Sequence, residues 1–125
     1  VKILLDTHTF IWMVTAPDEL SVPVREAFAD ASHQVWFSAA ISWEIAVKRA
    51  KGKLEFSGSP LVMARRLGLP ELAMTAEHAE LSGDLPLYHR DPFDRLLIAQ
   101  AQVEGLVLAT RDTALARYGI RILGV

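Results

Sequence analysis

HRDPFDRLLIAQAQVEGLVLATRD, residues His89 to Asp112, reads as a complete structural unit. Asp91 followed by Pro92 matches an N-cap and the first helical position, where a missing N–H does no harm. An apolar stripe then runs to about Glu104, and Gly105 stops it. Leu106 to Ala109 follows as an unbroken apolar run of strand length, ending at Thr110-Arg111-Asp112. A helix feeding a strand that is apolar at every position belongs to a parallel sheet covered on both faces.

The same alternation extends in both directions. Val1 to Leu5 and Val35 to Phe37 read as buried strands, Leu72 to Met74 as a short one, and Ile120 to Val125 as the last. A short helix is expected around Phe10 to Val14. Ser21 can cap a helix running to about Ala31, and Ser38 one from Ala39 to Lys51 that ends at Gly52. Further helices are expected over Pro60 to Leu67, from Ala76 behind Thr75, and from the residues after Asp112 to Tyr118. The expected architecture is α/β, with a central, mostly parallel five-stranded sheet between layers of helices. Such sheets bind ligands beyond the carboxyl ends of their strands, where strand order reverses.

The chain has 125 residues, 51% hydrophobic, with a mean hydropathy of +0.23. One domain over residues 1–125 with one core is expected. No apolar run is long enough to span a membrane and none is flanked as in a signal peptide, so the cytoplasm is the expected compartment. There are no cysteines, which excludes disulfides and thiolate metal sites. The net charge of −2 is not that of a generic nucleic-acid binder, although local basic patches remain open.

The acidic residues carry the functional signal. Asp6 directly follows the first strand, and Asp112 lies three residues past Ala109, so both fall on the carboxyl-end edge. Asp94, one turn into its helix, shares a face with Leu97, Ile98 and Ala101. Glu44 stands among Ala40, Ile41 and Val47. An acid at the head of an apolar stripe is costly without compensation. A hard divalent cation, Mg²⁺ or Mn²⁺, compensates with carboxylate ligands alone. Taken singly, each acid has a structural explanation: Glu44 can pair with Lys48, Asp94 with Arg90 or Arg95, Asp112 can cap a helix, and Asp91 is best read as a cap. Four acids at one edge of one sheet is the stronger observation.

These residues lie in ILLDTHTFIW (Ile3 to Trp12), FSAAISWEIAVKRAKGKL (Phe37 to Leu54), HRDPFDRLLIAQA (His89 to Ala101) and LATRDTAL (Leu108 to Leu115). In this order and spacing the sequence resembles a PIN domain, and more closely a VapC-type toxin ribonuclease of a toxin–antitoxin module. The resemblance covers essentially the whole chain. It implies that Asp6, Glu44, Asp94 and Asp112 form a metal-binding catalytic set for RNA hydrolysis. Thr7 and Thr110 are hydroxyl neighbours of that set, and Asp91 has a supporting place beside it. It also implies a homodimer and an antitoxin partner that covers the site.

Basic residues flank the acids. Arg90, Arg95 and Arg111 adjoin them in sequence, and Lys48, Arg49, Lys51 and Lys53 follow Glu44. Phosphate contacts to RNA are one role for them; a solvated helix end is the other. Trp12 and Trp43 stand beside the first two motifs, as base-stacking platforms or as packing and interface residues. A haloacid-dehalogenase-type phosphatase needs an aspartate two residues after the first, where this chain has His8. A phospho-receiver domain needs a lysine after a late strand, and no lysine follows Lys53. A PIN-like scaffold without activity, binding RNA or protein, is the alternative from a different class; retention of all four acids argues against it.

Overall fold

In a computed structural model, all 125 residues are described. The strands are β1 (Lys2–Leu5), β2 (Gln34–Ser38), β3 (Glu71–Leu72), β4 (Val107–Thr110) and β5 (Ile122–Gly124). The helices are α1 (Thr7–Thr15), α2 (Val22–Ala29), α3 (Ala39–Ala50), α4 (Pro60–Arg66), α5 (Ala76–Asp84) and α6 (Pro92–Glu104). Two short 3-10 segments, Pro17–Glu19 and Thr113–Tyr118, complete the chain.

The sheet order is β3-β2-β1-β4-β5, and every pairing is parallel. Order therefore reverses between β1 and β4, where Leu5 pairs with Ala109. Ile3, Leu4 and Leu5 are all buried. Successive strand side chains point to opposite faces, so both faces of β1 are covered. The α/β expectation holds, and the sheet is entirely rather than mostly parallel.

Several boundaries differ from the sequence reading. Helix α1 starts at Thr7, not near Phe10, because Asp6 accepts from Thr9 N and caps it earlier. Strand β3 is confined to Glu71–Leu72, before the expected Ala73-Met74. The Ala73 carbonyl there accepts from Gln100 Nε2 instead of a strand partner. The expected caps at Ser21, Ser38, Thr75 and Asp91 all accept from backbone N–H groups of their helices, and so does Ser59, which the sequence reading did not name. Gly105 ends α6 with φ at 66°, a left-handed conformation that β-carbon-bearing residues rarely adopt.

One fully buried polar contact locks the two helices that matter most. Ser38 caps α3 through Ala40 N and also donates to Gln100 Oε1 on α6. The end of β2, the start of α3 and the middle of α6 are thereby fixed to one another. Glu44, in the second turn of α3, and Asp94, in the first turn of α6, are carried on these two helices.

Candidate active site

Asp6 sits at the topological switch point. Its N–H continues the ladder to Ala109 O at 3.0 Å, and Oδ1 accepts from Thr9 N at 2.8 Å. Thr9 Oγ1 donates to the same Ala109 carbonyl, holding α1 against β4. Asp6 is 9% exposed, and Oδ2 accepts no hydrogen bond from the protein. One oxygen is thus structural and the other is open.

Glu44 is nearly completely buried. Thr7 Oγ1 donates to its Oε1, and Lys48 Nζ donates to its Oε2. The i to i+4 pairing with Lys48 allowed by the sequence is therefore present. The hydrogen bond to Glu44 holds the Lys48 ammonium above the usual lysine range, with Asp91 and Asp94 adding to the effect and burial opposing it.

Asp94 occupies the third position of α6, and its side chain is about two-thirds covered, with 32% exposure. Its Oδ2 meets His89 Nε2 at 2.7 Å. Burial raises the Asp94 carboxyl above the usual range; the His89 hydrogen bond opposes this, and Asp91 and Glu44 reinforce it. Neither Arg90 nor Arg95 pairs with it, contrary to the two partners considered from sequence. Asp91 caps α6 as expected, accepting from Phe93 N at 2.8 Å and Asp94 N at 3.0 Å.

Glu44, Asp91 and Asp94 are thus within electrostatic reach of each other, with Lys48 among them. Asp6 joins through its neighbour Thr7. Asp112 stands further out: it is exposed and caps the 3-10 segment through Ala114 N at 3.2 Å. Its link to the edge is the buried Thr110, whose Oγ1 accepts from Asp112 N.

Two arginines expected near substrate are committed elsewhere. Arg95 is buried, and its guanidinium donates to the carbonyls of Ser82, Gly83, Leu85, Pro86 and His89. It ties the α5–α6 connection to α6 and is not free for phosphate. Arg111 donates to Val125 O and Glu19 O and stacks over Trp12 at 4.0 Å. Arg49 is likewise structural, donating to Phe56 O and Gly58 O. Lys51, Lys53 and Arg90 are exposed without ion pairs.

His89 was quoted in the motif without a role, and the structure makes it the partner of Asp94. Its position five residues upstream, across a proline, gave no helical periodicity to follow. A loop tether sets it: His89 N donates to Tyr118 Oη, which donates to Pro86 O.

The donors at this edge are carboxylate oxygens, the chemistry that hard divalent cations prefer. No three carboxylates or imidazoles converge closely enough here to chelate an ion. The counter-charge in this arrangement is Lys48, and His89 Nε2 is hydrogen-bonded to Asp94. By donor type the residues fit Mg²⁺ or Mn²⁺, and Asp6 and Asp94 each keep one oxygen without a protein partner.

The family model described as "PIN domain" matches residues 3–121. Ribonuclease VapC22 of Mycobacterium tuberculosis (strain ATCC 25618 / H37Rv) is 29% identical over 120 residues, 93% of this chain and 91% of that protein. Among solved structures, DNA-bound VapBC from Salmonella typhimurium superposes with a TM-score of 0.71 at 22% identity, covering 99% of this chain and 98% of that one. VapBC2 from Rickettsia felis, bound to a promoter DNA fragment, gives 0.69 at 14% identity with the same coverage. A toxin–antitoxin complex from Klebsiella pneumoniae gives 0.65 at 19% identity, covering 97% and 95%. At these identities the structural matches speak for the fold.

Proposed function

The chain belongs to the PIN-domain family, and from that premise we propose that it is a metal-dependent endoribonuclease, the toxin of a toxin–antitoxin module. The observation that carries the reading is the buried Glu44. It is oriented by Thr7 and Lys48 beside Asp94 and Asp91, at the edge where the sheet reverses order. A purely structural glutamate gains nothing from burial among other acids.

Mg²⁺ or Mn²⁺ would be held by Asp6, Asp94 and Glu44, with Asp112 at the outer margin, and supplies charge stabilisation at the phosphoryl oxygens and an activated water. The rest falls to the chain's own groups. Thr7 fixes the rotamer of Glu44, so that its carboxylate faces the edge. Asp91 sets the start of α6 and so the height of Asp94. Thr110 holds the backbone of Asp112. His89 Nε2 meets Asp94 Oδ2 and holds that carboxylate in place. Lys51, Lys53 and Arg90 supply backbone attraction for RNA. Trp43 is 47% exposed, packs edge-on to Phe93 at 4.8 Å, and offers a stacking face next to Glu44.

An antitoxin chain and a second copy of this chain are the proposed partners, and the cytoplasm the proposed compartment. No helix is long and apolar enough to cross a membrane. The test is cleavage of total RNA by the wild type and by Asp6→Asn, with Mg²⁺ or Mn²⁺ and with chelator. Metal-dependent cleavage by the wild type alone supports the proposal. Equal inertness of both proteins on a broad set of RNAs supports the silent scaffold instead.

A further inference from the structure

Lys48 is a lysine inside an acidic group. Its Nζ donates to Glu44 Oε2, and its other charged neighbours are Asp91 and Asp94. The side chain is 32% exposed, and Nζ lies 5.8 Å from the centre of the Phe93 ring. Asp94 in turn is influenced by Asp91, Glu44 and His89. Partly buried carboxylates this close repel one another and need a cation. The ammonium provides one that needs no ion from solution.

The geometry also gives the ammonium an exit. Lys48 is one turn from Glu44 on the same helix, so the two separate by a side-chain rotation without backbone movement. A lysine is a point charge on a flexible stem with three rotatable donors, unlike the rigid fork of an arginine. The stem can stay in place while the head moves off Glu44 and Phe93 into water.

We propose that Lys48 is a built-in counter-ion: it neutralises and positions Glu44 beside Asp91 and Asp94 in the metal-free protein, and releases Glu44 when a divalent cation binds. This rests on the metal-dependent reading above. Lys48 is then a positioning residue that sets the metal affinity of the site, because an incoming cation must displace the ammonium. It also lets the acidic edge fold before metal arrives.

Lys48→Met keeps the stem and removes the charge; Lys48→Gln keeps a hydrogen-bond donor to Glu44 and serves if the first variant folds poorly. Mn²⁺ binding is measured by titration, following the free-ion paramagnetic signal, and thermal unfolding is recorded with chelator and with saturating Mg²⁺. The expected result is Mn²⁺ binding roughly five- to tenfold tighter than wild type, the lower range of ordinary site-to-site couplings. Melting of the variant falls below wild type in chelator, and Mg²⁺ closes the gap. Lys48→Arg, which keeps the charge, binds no tighter than wild type. If wild type binds Mn²⁺ and neither neutral variant binds it more tightly, the counter-ion role is wrong and the metal-dependent reading survives. If wild type binds no Mn²⁺, both fall together.

Discussion

The Thr7 hydroxyl donates to Glu44 across 37 residues of sequence, joining the helix after β1 to the helix after β2. Both residues are buried, so the bond has no competing water. Its consequence is directional: Glu44 has one oxygen held by the buried Thr7 and the other by Lys48, a partly exposed side chain on a flexible stem.

Thr7→Val should therefore loosen the orientation of Glu44 without emptying the site. Supporting hydroxyls of this kind are worth roughly 10–100-fold in metal affinity or activity. Thr7→Ser should restore most of the loss. Mn²⁺ titration and RNA cleavage on the three proteins check this; an unaffected Val variant would remove Thr7 from the site.

Asp94→Asn should abolish cleavage yet stabilise the metal-free protein at neutral pH. The folded-state carboxyl is raised, chiefly by burial, so the folded protein binds the proton more tightly than the unfolded chain. The stability this gives is fully present below the unfolded value and is lost as pH rises through the folded one. At neutral pH the ionised Asp94 is a net cost that asparagine lacks. The melting advantage of the variant should shrink as pH falls into the carboxylate range, and thermal unfolding across pH measures it. A variant less stable than wild type at neutral pH contradicts this.

Arg95→Met should destabilise the fold by roughly 2–4 kcal/mol, because four of the five carbonyls that it satisfies are left without a donor, Pro86 O alone keeping Tyr118 Oη. The KM for RNA of the protein that remains folded should be unchanged. Chemical denaturation and cleavage kinetics together separate this from a phosphate-binding role, which would raise KM and spare stability.

Asp91→Ala removes the N-cap of α6 and should cost about 1 kcal/mol. Asp91→Ser should recover that stability. Residual loss of activity in the Ser variant would show that the carboxylate also acts electrostatically on Asp94, and urea unfolding alongside cleavage distinguishes the two contributions.

Much of this was legible in the residues themselves. Apolar runs fixed the strands, Ser21, Ser38, Thr75 and Asp91 marked helix starts, and Gly105 marked an end, because caps and left-handed turns are local chemistry. The spacing of Asp6, Glu44, Asp94 and Asp112 placed acids after strands or near helix starts. Local pattern failed where a distant partner decides. Asp112 looks equivalent to Asp6 until its exposure is seen, whereas the cap that Asp6 makes to Thr9 N, three residues on, is local chemistry like the others.

The sequence alone determined the strand–helix alternation, the start of α6 at Asp91-Pro92, and an all-oxygen set of candidate ligands. Only the tertiary structure decided which polar groups meet: His89 with Asp94, Thr7 with Glu44, and Arg95 with five carbonyls rather than with an acid or an RNA phosphate. The physical reason is range. Propensity and capping act within a turn or two of chain, whereas a long polar side chain is committed by whichever unsatisfied group the packed sheet and helices bring within hydrogen-bond distance.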